Sequence, residues 1–150
     1  MNRYQGDPAV RITEYGASMR FLGGQPVMDQ GLENSVQISL FTLSGWWGNA
    51  LLADANKIGS DFEEQRTIVD VQTIQDYTDA ARLALQWMAD NRIADKIDVT
   101  ITNPTLDHIK ATISIYPPGH DAMKLLFNKS GLNWIAQAVN PAHERFPEVV

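Results

Sequence analysis

Residues 31–42 read Gly-Leu-Glu-Asn-Ser-Val-Gln-Ile-Ser-Leu-Phe-Thr, and residues 45–48 follow as Gly-Trp-Trp-Gly. Apolar residues at i, i+4, i+8 and i+11 predict one face of a helix: Leu32, Val36, Leu40 and Leu43. The second stretch predicts a loop whose adjacent indoles offer a large contact area at little cost in side-chain entropy. Trp46 and Trp47 are therefore candidates for a local core or for the exposed anchor of a partner, because tryptophan is enriched at binding hot spots.

The ends of this first helix are less regular than its apolar face. Asp29 precedes the helix and is the predicted N-cap, because its carboxylate can accept hydrogen bonds from the first free backbone N–H groups. Ile38 and Phe41 lie off the apolar face, so the helix either contacts two surfaces or has a deformed end. Residues 45–70 show no regular pattern, and a loop of that length in a small domain is often functional.

A second helix is predicted between Thr73 and Asn91. Thr73 is the predicted N-cap, and Asp76 three residues later forms an approximate capping box with it. Five residues form one apolar stripe along this helix: Tyr77, Ala81, Ala84, Leu85 and Met88. Leu83 and Trp87 form a second stripe, which predicts that two sides of the helix are covered.

Two strands follow this helix and predict a β-hairpin. Apolar and polar residues alternate over residues 96–102 and 108–116, and residues 103–107 between them suit a hairpin loop. The inward apolar residues are Ile97, Val99, Ile101, Ile109, Ala111, Ile113 and Ile115. Thr100 and Thr112 lie on the polar face, one on each strand. We expect at least one of these strands to form a sheet edge that can accept a strand from another chain.

The complete pattern predicts an α+β fold. Its core is a small, mainly antiparallel sheet, and two main helices pack on one face of that sheet. Residues 10–15 and 19–22 predict short additional strands near the N-terminus.

The C-terminal part of the chain is interpreted separately. Pro117-Pro118-Gly119 ends the hairpin, so we divide the chain into a domain of residues 1–118 and an extension of residues 119–150. The apolar residues of the extension must pack on their own domain or on a neighbour, since a chain rarely leaves such a patch in water. We expect inter-subunit contacts, with Phe127 and Trp134 among them.

Composition excludes several classes of protein. The 150 residues fit one domain and carry a formal net charge of −6 with scattered Lys and Arg, which argues against nucleic acid as the main partner. Cysteine is absent, so no disulfide framework can form. No apolar run reaches the length of a membrane span, and the N-terminus does not resemble a signal peptide. We expect a protein made in the cytoplasm that contacts no membrane.

The sequence carries no constellation typical of an enzyme. The three histidines, His108, His120 and His143, lack metal-ligand spacing. Nucleophile elbows, phosphate-binding loops and dinucleotide fingers are absent as well. Glu63 and Glu64 are adjacent, so a solvated face is the better interpretation of them. We therefore expect no catalytic, cofactor-binding or metal-binding residues.

The chain resembles the gene product 46 family of Mu-like phages and prophages. The resemblance runs from about Val27 to Pro118 and begins with the stretch 31–42 and its Gly-Trp-Trp-Gly. Ile58-Gly59-Ser60 corresponds to a similar tripeptide of that family. Residues 80–88 resemble its long helix, and the two alternating strands resemble its terminal strand pair.

This resemblance implies a structural role in a contractile phage tail. The family is a baseplate component, related to the gene product 25-like wedge proteins of T-even phages, at which the tail sheath starts to assemble. Expected partners are other wedge proteins and sheath subunits in a six-fold ring. The resemblance implies a virion protein without cofactors, which nucleates the sheath by strand exchange at the edge near Thr100 or Thr112.

Some features depart from the family, and other functions stay open. Asp61 and Phe62 stand where a basic residue and an aromatic pair are expected, and the Glu-Pro-Arg motif of the gene product 25 relatives is absent. One alternative is a soluble cytoplasmic adaptor with the same fold. A lysozyme-like hydrolase is another, suggested by an old label of those relatives, but no pair of carboxylates points to it.

Overall fold

The structure is a computed structural model that describes residues 7–29, 32–63, 70–105, 107–130, 133–139 and 144–145. The first strands and helix in chain order are β1 (Asp7–Pro8), β2 (Val10–Thr13), β3 (Gly16–Met19), β4 (Phe21–Leu22), β5 (Gln25–Pro26), β6 (Met28–Asp29) and α1 (Leu32–Phe41). After them come α2 (Val71–Asp90), β7 (Lys96–Thr105), β8 (His108–Tyr116), β9 (Met123–Ser130), β10 (Asn133–Val139) and β11 (Glu144–Arg145). Two short 3-10 helices, Trp47–Leu51 and Asp54–Asn56, lie between α1 and α2.

The main sheet has four antiparallel strands in the order β10-β9-β8-β7. The predicted hairpin is confirmed as β7 and β8, which pair from Lys96 opposite Tyr116 to Thr105 opposite His108, with a bulge after Thr102. The alternation predicted for β8 is also confirmed, because its inward residues are almost fully buried: Ile109, Ala111, Ile113 and Ile115. The α+β class with a mainly antiparallel sheet is confirmed.

Helix α2 lies against the inner face of this sheet. Its N-cap is Asp70, whose carboxylate accepts a hydrogen bond from the Thr73 backbone N–H at 2.7 Å. The prediction of Thr73 as the N-cap is wrong because Asp70 supplies the same capping chemistry three residues earlier. Thr73 is instead buried in the first turn of the helix. The predicted C-terminal end is confirmed, because Asn91 is the C-cap.

Only one of the two apolar stripes predicted for α2 is covered. Tyr77, Ala81, Leu85 and Met88 are fully buried. The second stripe is a wrong prediction: Leu83 is 80% exposed because no described element packs over it. Trp87 is partly exposed, and its Nε1 donates a hydrogen bond at 2.9 Å to the Ser39 hydroxyl of α1. The indole thus joins the two helices through its polar atom.

Helix α1 confirms the capping role of Asp29. The Asp29 carboxylate accepts hydrogen bonds from the backbone N–H groups of Glu33 at 3.3 Å and Asn34 at 2.9 Å. Val36 and Leu40 are fully buried, as predicted. Leu43 is not part of the buried face, because the helix ends at Phe41 and leaves Leu43 43% exposed.

Polar side chains of α1 take the place of a neighbouring strand for β2. The Asn34 and Gln37 side-chain oxygens accept hydrogen bonds from the backbone N–H groups of Val10 at 2.9 Å and Ile12 at 3.0 Å. Buried Glu33 accepts a charged hydrogen bond from Arg11 at 2.9 Å. The polar residues of the stretch 31–42 therefore hold the N-terminal strand, since buried backbone groups need such partners.

The N-terminal strands form small sheets of their own. β2 pairs with β3, β4 pairs with β5, and β6 lies between β1 and β11. The strand predicted over residues 19–22 is divided at Arg20, so its bounds were wrong. The Arg20 N–H donates to the Ala9 carbonyl and the Arg20 carbonyl accepts from the Val27 N–H, so the backbone of Arg20 is bonded outside both short strands.

The C-terminal residues complete the main sheet. β9 pairs with β8 from Met123 opposite Ile115 to Ser130 opposite His108, and β10 pairs with β9. The expectation that this part is detached by the double proline is wrong, because its strands have the same antiparallel ladder as the hairpin. The division at residue 118 stays an interpretation of the sequence, although strands on both sides of it share one sheet.

No helix within the described part of the chain is long and apolar enough to cross a membrane.

Candidate interaction surface

The tryptophan loop, defined here as residues 42–61, is fastened to the end of α1 through Ser60. The Ser60 N–H donates a hydrogen bond to the Thr42 carbonyl at 2.8 Å, and the Ser60 hydroxyl donates to the Leu40 carbonyl at 2.8 Å. Leu43 and Ser60 also form an isolated parallel bridge. One serine therefore satisfies carbonyl groups that the helix end leaves free.

Asn49 connects the two sides of the tryptophan loop. Its side-chain nitrogen donates to the Ile58 carbonyl at 2.6 Å, and its side-chain oxygen accepts from the Ile58 N–H at 2.9 Å. A single amide thus bonds both backbone groups of Ile58 as a strand partner would. The sequence analysis missed Asn49, and its position directly after the Gly-Trp-Trp-Gly segment was the only available signal.

Two glycines allow close contacts within the same loop. At Gly59, φ is +123°, and an added Cβ would lie 2.6 Å from the Leu43 carbonyl oxygen. At Gly48, an added Cβ would overlap the indole ring of Trp46, which lies directly over this glycine. These two contacts give a physical reason for the glycine in Gly-Trp-Trp-Gly and for the glycine in Ile58-Gly59-Ser60.

The structure brings Trp46 and Trp47 together at the surface. Their ring centroids are 5.6 Å apart, and the exposed fractions are 37% for Trp46 and 74% for Trp47. A cleft of about 820 Å³ lies beside them and is lined mainly by apolar residues of α1 and the loop. Of the two roles left open by the sequence, the geometry of Trp47 fits the exposed anchor, and Trp46 covers Gly48.

Thr100 and Thr112 are directly paired, but Thr100 lies on an edge strand and Thr112 lies on an inner strand of the sheet. Thr100 is exposed on β7, which is the outer strand of the sheet, and no described strand pairs with its outer side. Thr112 is on β8, which pairs with β7 on one side and β9 on the other. Thr112 therefore cannot mark an edge, and this part of the prediction is corrected.

Phe127 and Trp134 lie in the core and not on the surface. Phe127 is fully buried, Trp134 is 3% exposed, and both contact Phe41 with centroid distances of 5.3 Å and 6.2 Å. Phe62 lies 4.9 Å from Trp134 in the same aromatic cluster. The expectation that Phe127 and Trp134 make inter-subunit contacts is corrected, because β9 and β10 direct them under the helices.

A buried lysine extends this cluster. Lys129 is 4% exposed at an inward position of β9, and its Nζ donates to the Tyr77 hydroxyl at 2.8 Å. Burial lowers the pKa of Lys129, while the charge of Glu63 acts to raise it. Burial also raises the pKa of Tyr77 to about 12. The sequence analysis missed this pair, although Lys129 falls in the frame of Met123, Leu125 and Phe127.

The described residues contain no group of three or more His, Asp or Glu side chains that could hold a metal ion. His108 lies 4.0 Å from Asp107 at the exposed turn between β7 and β8. His143 and Glu64 lie outside the described residues. The surface features that remain for a functional assignment are the tryptophan loop and the outer edge of β7.

Comparisons with known proteins identify the family of the chain. The family model described as Phage protein GP46 matches residues 29–122. The chain belongs to the Phage protein GP46 family. It is also similar to the Mu-like prophage FluMu protein gp46 of Haemophilus influenzae, with 28% identity over 118 residues, 72% of this chain and 82% of the relative. No solved structure matches the chain.

The GP46 match includes both candidate surfaces. It spans α1, the tryptophan loop, α2 and the hairpin of β7 and β8, and it ends just before β9. The resemblance seen in the sequence is thereby confirmed. Membership of this family makes the chain a phage protein.

Proposed function

We propose that the chain is a structural component of the baseplate of a contractile phage tail, where it helps to start assembly of the sheath. Support comes from its GP46 family membership and from its similarity to a protein of a Mu-like prophage. The single observation that carries the proposal is the outer strand β7, whose free side has no described strand beside it. Such an edge offers backbone N–H and C=O groups to a strand from another chain.

The available part of this edge is its first two thirds. A bulge follows Thr102, and Pro104 lacks a backbone donor, so both features discourage pairing at the far end of β7. Residues 96–102 form a regular ladder with β8, and α2 supports their inner face. We assign the docking of a sheath strand to this segment.

The opposite edge of the sheet is less suitable for strand addition. β10 contains an irregularity between Ala136 and Ala138, and β2 lies beside it. Irregular strands and covered edges are two of the ways in which proteins prevent strand addition. The proposed arrangement therefore has one receptive edge, and its partners are sheath subunits, with other wedge proteins completing a six-fold ring in the virion.

The proposal can be tested with edge variants in the phage that encodes the chain. Thr100→Pro removes a backbone donor, and the double change Thr100→Lys with Thr102→Lys leaves every donor in place but adds charge to the edge. The matched control, Thr112→Lys with Ser114→Lys, adds the same two charges on the inner strand. We expect both edge variants to yield baseplates without sheaths in electron micrographs, and the control to yield normal tails.

Thermal unfolding of the purified variants is measured in parallel. The double lysine variant should keep its melting temperature, so a loss of sheath cannot be assigned to unfolding. Normal sheaths on baseplates of the double lysine variant would overturn the strand-addition mechanism. Absence of the chain from purified tail particles would overturn the structural role itself.

A further inference from the structure

Three neighbouring clefts around the tryptophan loop share lining residues. The cleft beside Trp47 shares Ile38 and Ile58 with a second cleft of about 500 Å³ between α1 and α2. The second cleft shares Leu83 with a third cleft of about 390 Å³, whose lining includes Asp76 and Asp79. We name this feature the helix groove and define it by Ile38, Trp47, Ile58, Leu83, Trp87 and Asp79.

The helix groove leaves unusually large apolar side chains in water. The exposed fraction is 80% for Leu83, 74% for Trp47 and 52% for Ile38. Single exposed apolar residues are ordinary, but a contiguous apolar surface bordered by polar residues typically marks a binding site. These side chains lie on the side of the helices that faces away from the main sheet, where they add nothing to the core of this chain.

The backbone around the groove determines which kind of segment fits it. Its walls are α1, α2 and the short 3-10 turns, and the backbone groups of the loop are bonded within the loop, as at Asn49 and Ile58. An extended segment buried there would leave its own N–H and C=O groups without partners, which is costly. A helix satisfies its backbone internally and can place one apolar face in such a groove.

Acidic residues lie in the third cleft of the helix groove. Asp76 and Asp79 line its third cleft, and among the described residues each accepts a side-chain hydrogen bond from a neutral amide, Gln72 at 2.7 Å and Gln75 at 2.8 Å. No Lys or Arg is among the described residues that line this cleft. The negative end therefore favours basic residues on the partner.

A second copy of this chain is a poorer occupant. Its formal net charge of −6 would bring like charges together at the acidic end.

We propose that the helix groove binds an amphipathic helix of another protein, with Lys or Arg at the end of that helix that meets Asp76 and Asp79. This inference goes beyond the baseplate role, because it uses a surface separate from the β7 edge and holds for any partner with that chemistry. Leu83 and Trp47 contact the apolar face of the bound helix, and the two aspartates set its direction.

The first experiment uses the full chain and synthetic helical peptides of about 18 residues, roughly 27 Å long. One peptide has an apolar stripe and Lys residues in its last turn, the second has Glu in place of Lys, and the third is a scrambled sequence of the first. Tryptophan fluorescence should show saturable binding of the basic striped peptide. We expect the acidic-ended peptide to bind about tenfold more weakly, which corresponds to about 1.4 kcal/mol, and the scrambled peptide not to bind.

Variants locate the binding on the chain. Leu83→Ser should weaken both striped peptides, and Asp76→Lys with Asp79→Lys should reverse the preference between them. Tyr15→Ser, at a residue that is 93% exposed on another part of the surface, is the matched control and should change nothing. Equal binding of the basic and acidic peptides, or an unchanged affinity of Leu83→Ser, contradicts the proposal.

The natural partner is tested by photo-crosslinking in phage-producing cells. A benzophenone amino acid replaces Leu83, and mass spectrometry identifies the crosslinked peptide. We expect a crosslink to a segment of another protein that has apolar residues at helical spacing and Lys or Arg at one end. This crosslink should be lost when Asp79→Lys is added. A crosslink to a second copy of this chain, to a segment without that pattern, or to nothing overturns the inference. A matching helix from a non-tail protein supports the groove and counts against the baseplate role.

Discussion

The main sheet and the tryptophan loop keep their shapes by different means. In the sheet, β7 to β10 pair along long ladders above a core that includes Ile113, Leu125 and Phe127. The tryptophan loop instead depends on the side chains of a few residues, chiefly Asn49 and Ser60. The sheet therefore distributes its stability over many contacts, whereas the loop uses local polar bonds and keeps its large apolar side chains available at the surface.

The largest expected effect comes from removing the C-terminal strands. Deletion of residues 119–150 takes away β9 and β10, and with them buried Met123, Leu125 and Phe127. Because these residues fill the core shared by both helices, we expect the truncated chain to lose its cooperative thermal transition. Circular dichroism during heating measures this loss.

A shorter truncation is the control for that deletion. Removal of residues 140–150 leaves β7 to β10 in place, so the cooperative transition should persist. If the 119–150 deletion melts cooperatively like the full chain, the assignment of β9 and β10 to a shared core is incorrect.

Alkaline pH should weaken the core through Tyr77. The pKa of Tyr77 is raised to about 12, so from pH 10 upward the folded chain holds a proton that the unfolded chain releases, and stability falls as pH rises. The loss is at most about 3 kcal/mol, because the raised window spans about two pH units at about 1.4 kcal/mol each. Lys129 acts in the opposite sense: its pKa is lowered, so stability rises with pH just below its ordinary pKa of 10.5.

Urea unfolding at successive pH values measures both slopes. Tyr77→Phe should remove the decline above pH 10, and Lys129→Met should remove the rise that precedes it. A decline of unchanged steepness in Tyr77→Phe would assign the alkaline sensitivity to another group.

A change at Gly59 should damage the loop and leave the sheet intact. Ala at this position would meet the Leu43 carbonyl oxygen and would have to adopt a positive φ, for which we expect a cost of about 1–3 kcal/mol. Gly45→Ala is the matched control, since an added Cβ there has no neighbour within 4 Å. Hydrogen exchange should show faster exchange at Ser60 in Gly59→Ala, with unchanged protection of β8; equal behaviour of the two variants would argue against the close contact.

The smallest effect on stability is expected for substitution of Trp47 in the tryptophan loop. Trp47 is 74% exposed, so Trp47→Ala should change the free energy of unfolding by less than about 0.5 kcal/mol. Phe127→Ala, the reference substitution in the sheet, should cost about 3–5 kcal/mol because the ring is fully buried. Chemical denaturation of both variants gives the comparison, and a cost above 2 kcal/mol for Trp47→Ala would place its ring in the core.

Local periodicity was sufficient to predict the regular half of the fold. The alternation in β7 and β8 and the stripe from Tyr77 to Met88 each depend on neighbours in the sequence, and both predictions are confirmed. In β9, the adjacent residues Leu125, Leu126 and Phe127 obscure the alternation, and Lys129 introduces a charge at an inward position. Strand identity there depends on tertiary contacts, which no short window of sequence contains.

The candidate surfaces were predictable to a smaller extent. The Gly-Trp-Trp-Gly segment identified the correct loop, but the contacts that shape it join residues such as Asn49 and Ile58 through side-chain amides. Exposure of Leu83 was also unpredictable, because the helical stripe it belongs to does not reveal which elements lie beside it. Thr112 lies on an inner strand because β9 pairs with the other side of β8, and that pairing could not be predicted from the sequence of the hairpin.

The order of strands in the main sheet also bears on how the chain folds during synthesis. α2, β7, β8, β9 and β10 contact their neighbours in chain order, so this part is joined by short connections. β2, in contrast, lies beside β10, which leaves the ribosome more than a hundred residues later. β2 can therefore be held by its pairing with β3 and by Asn34 and Gln37 of α1 before β10 is made.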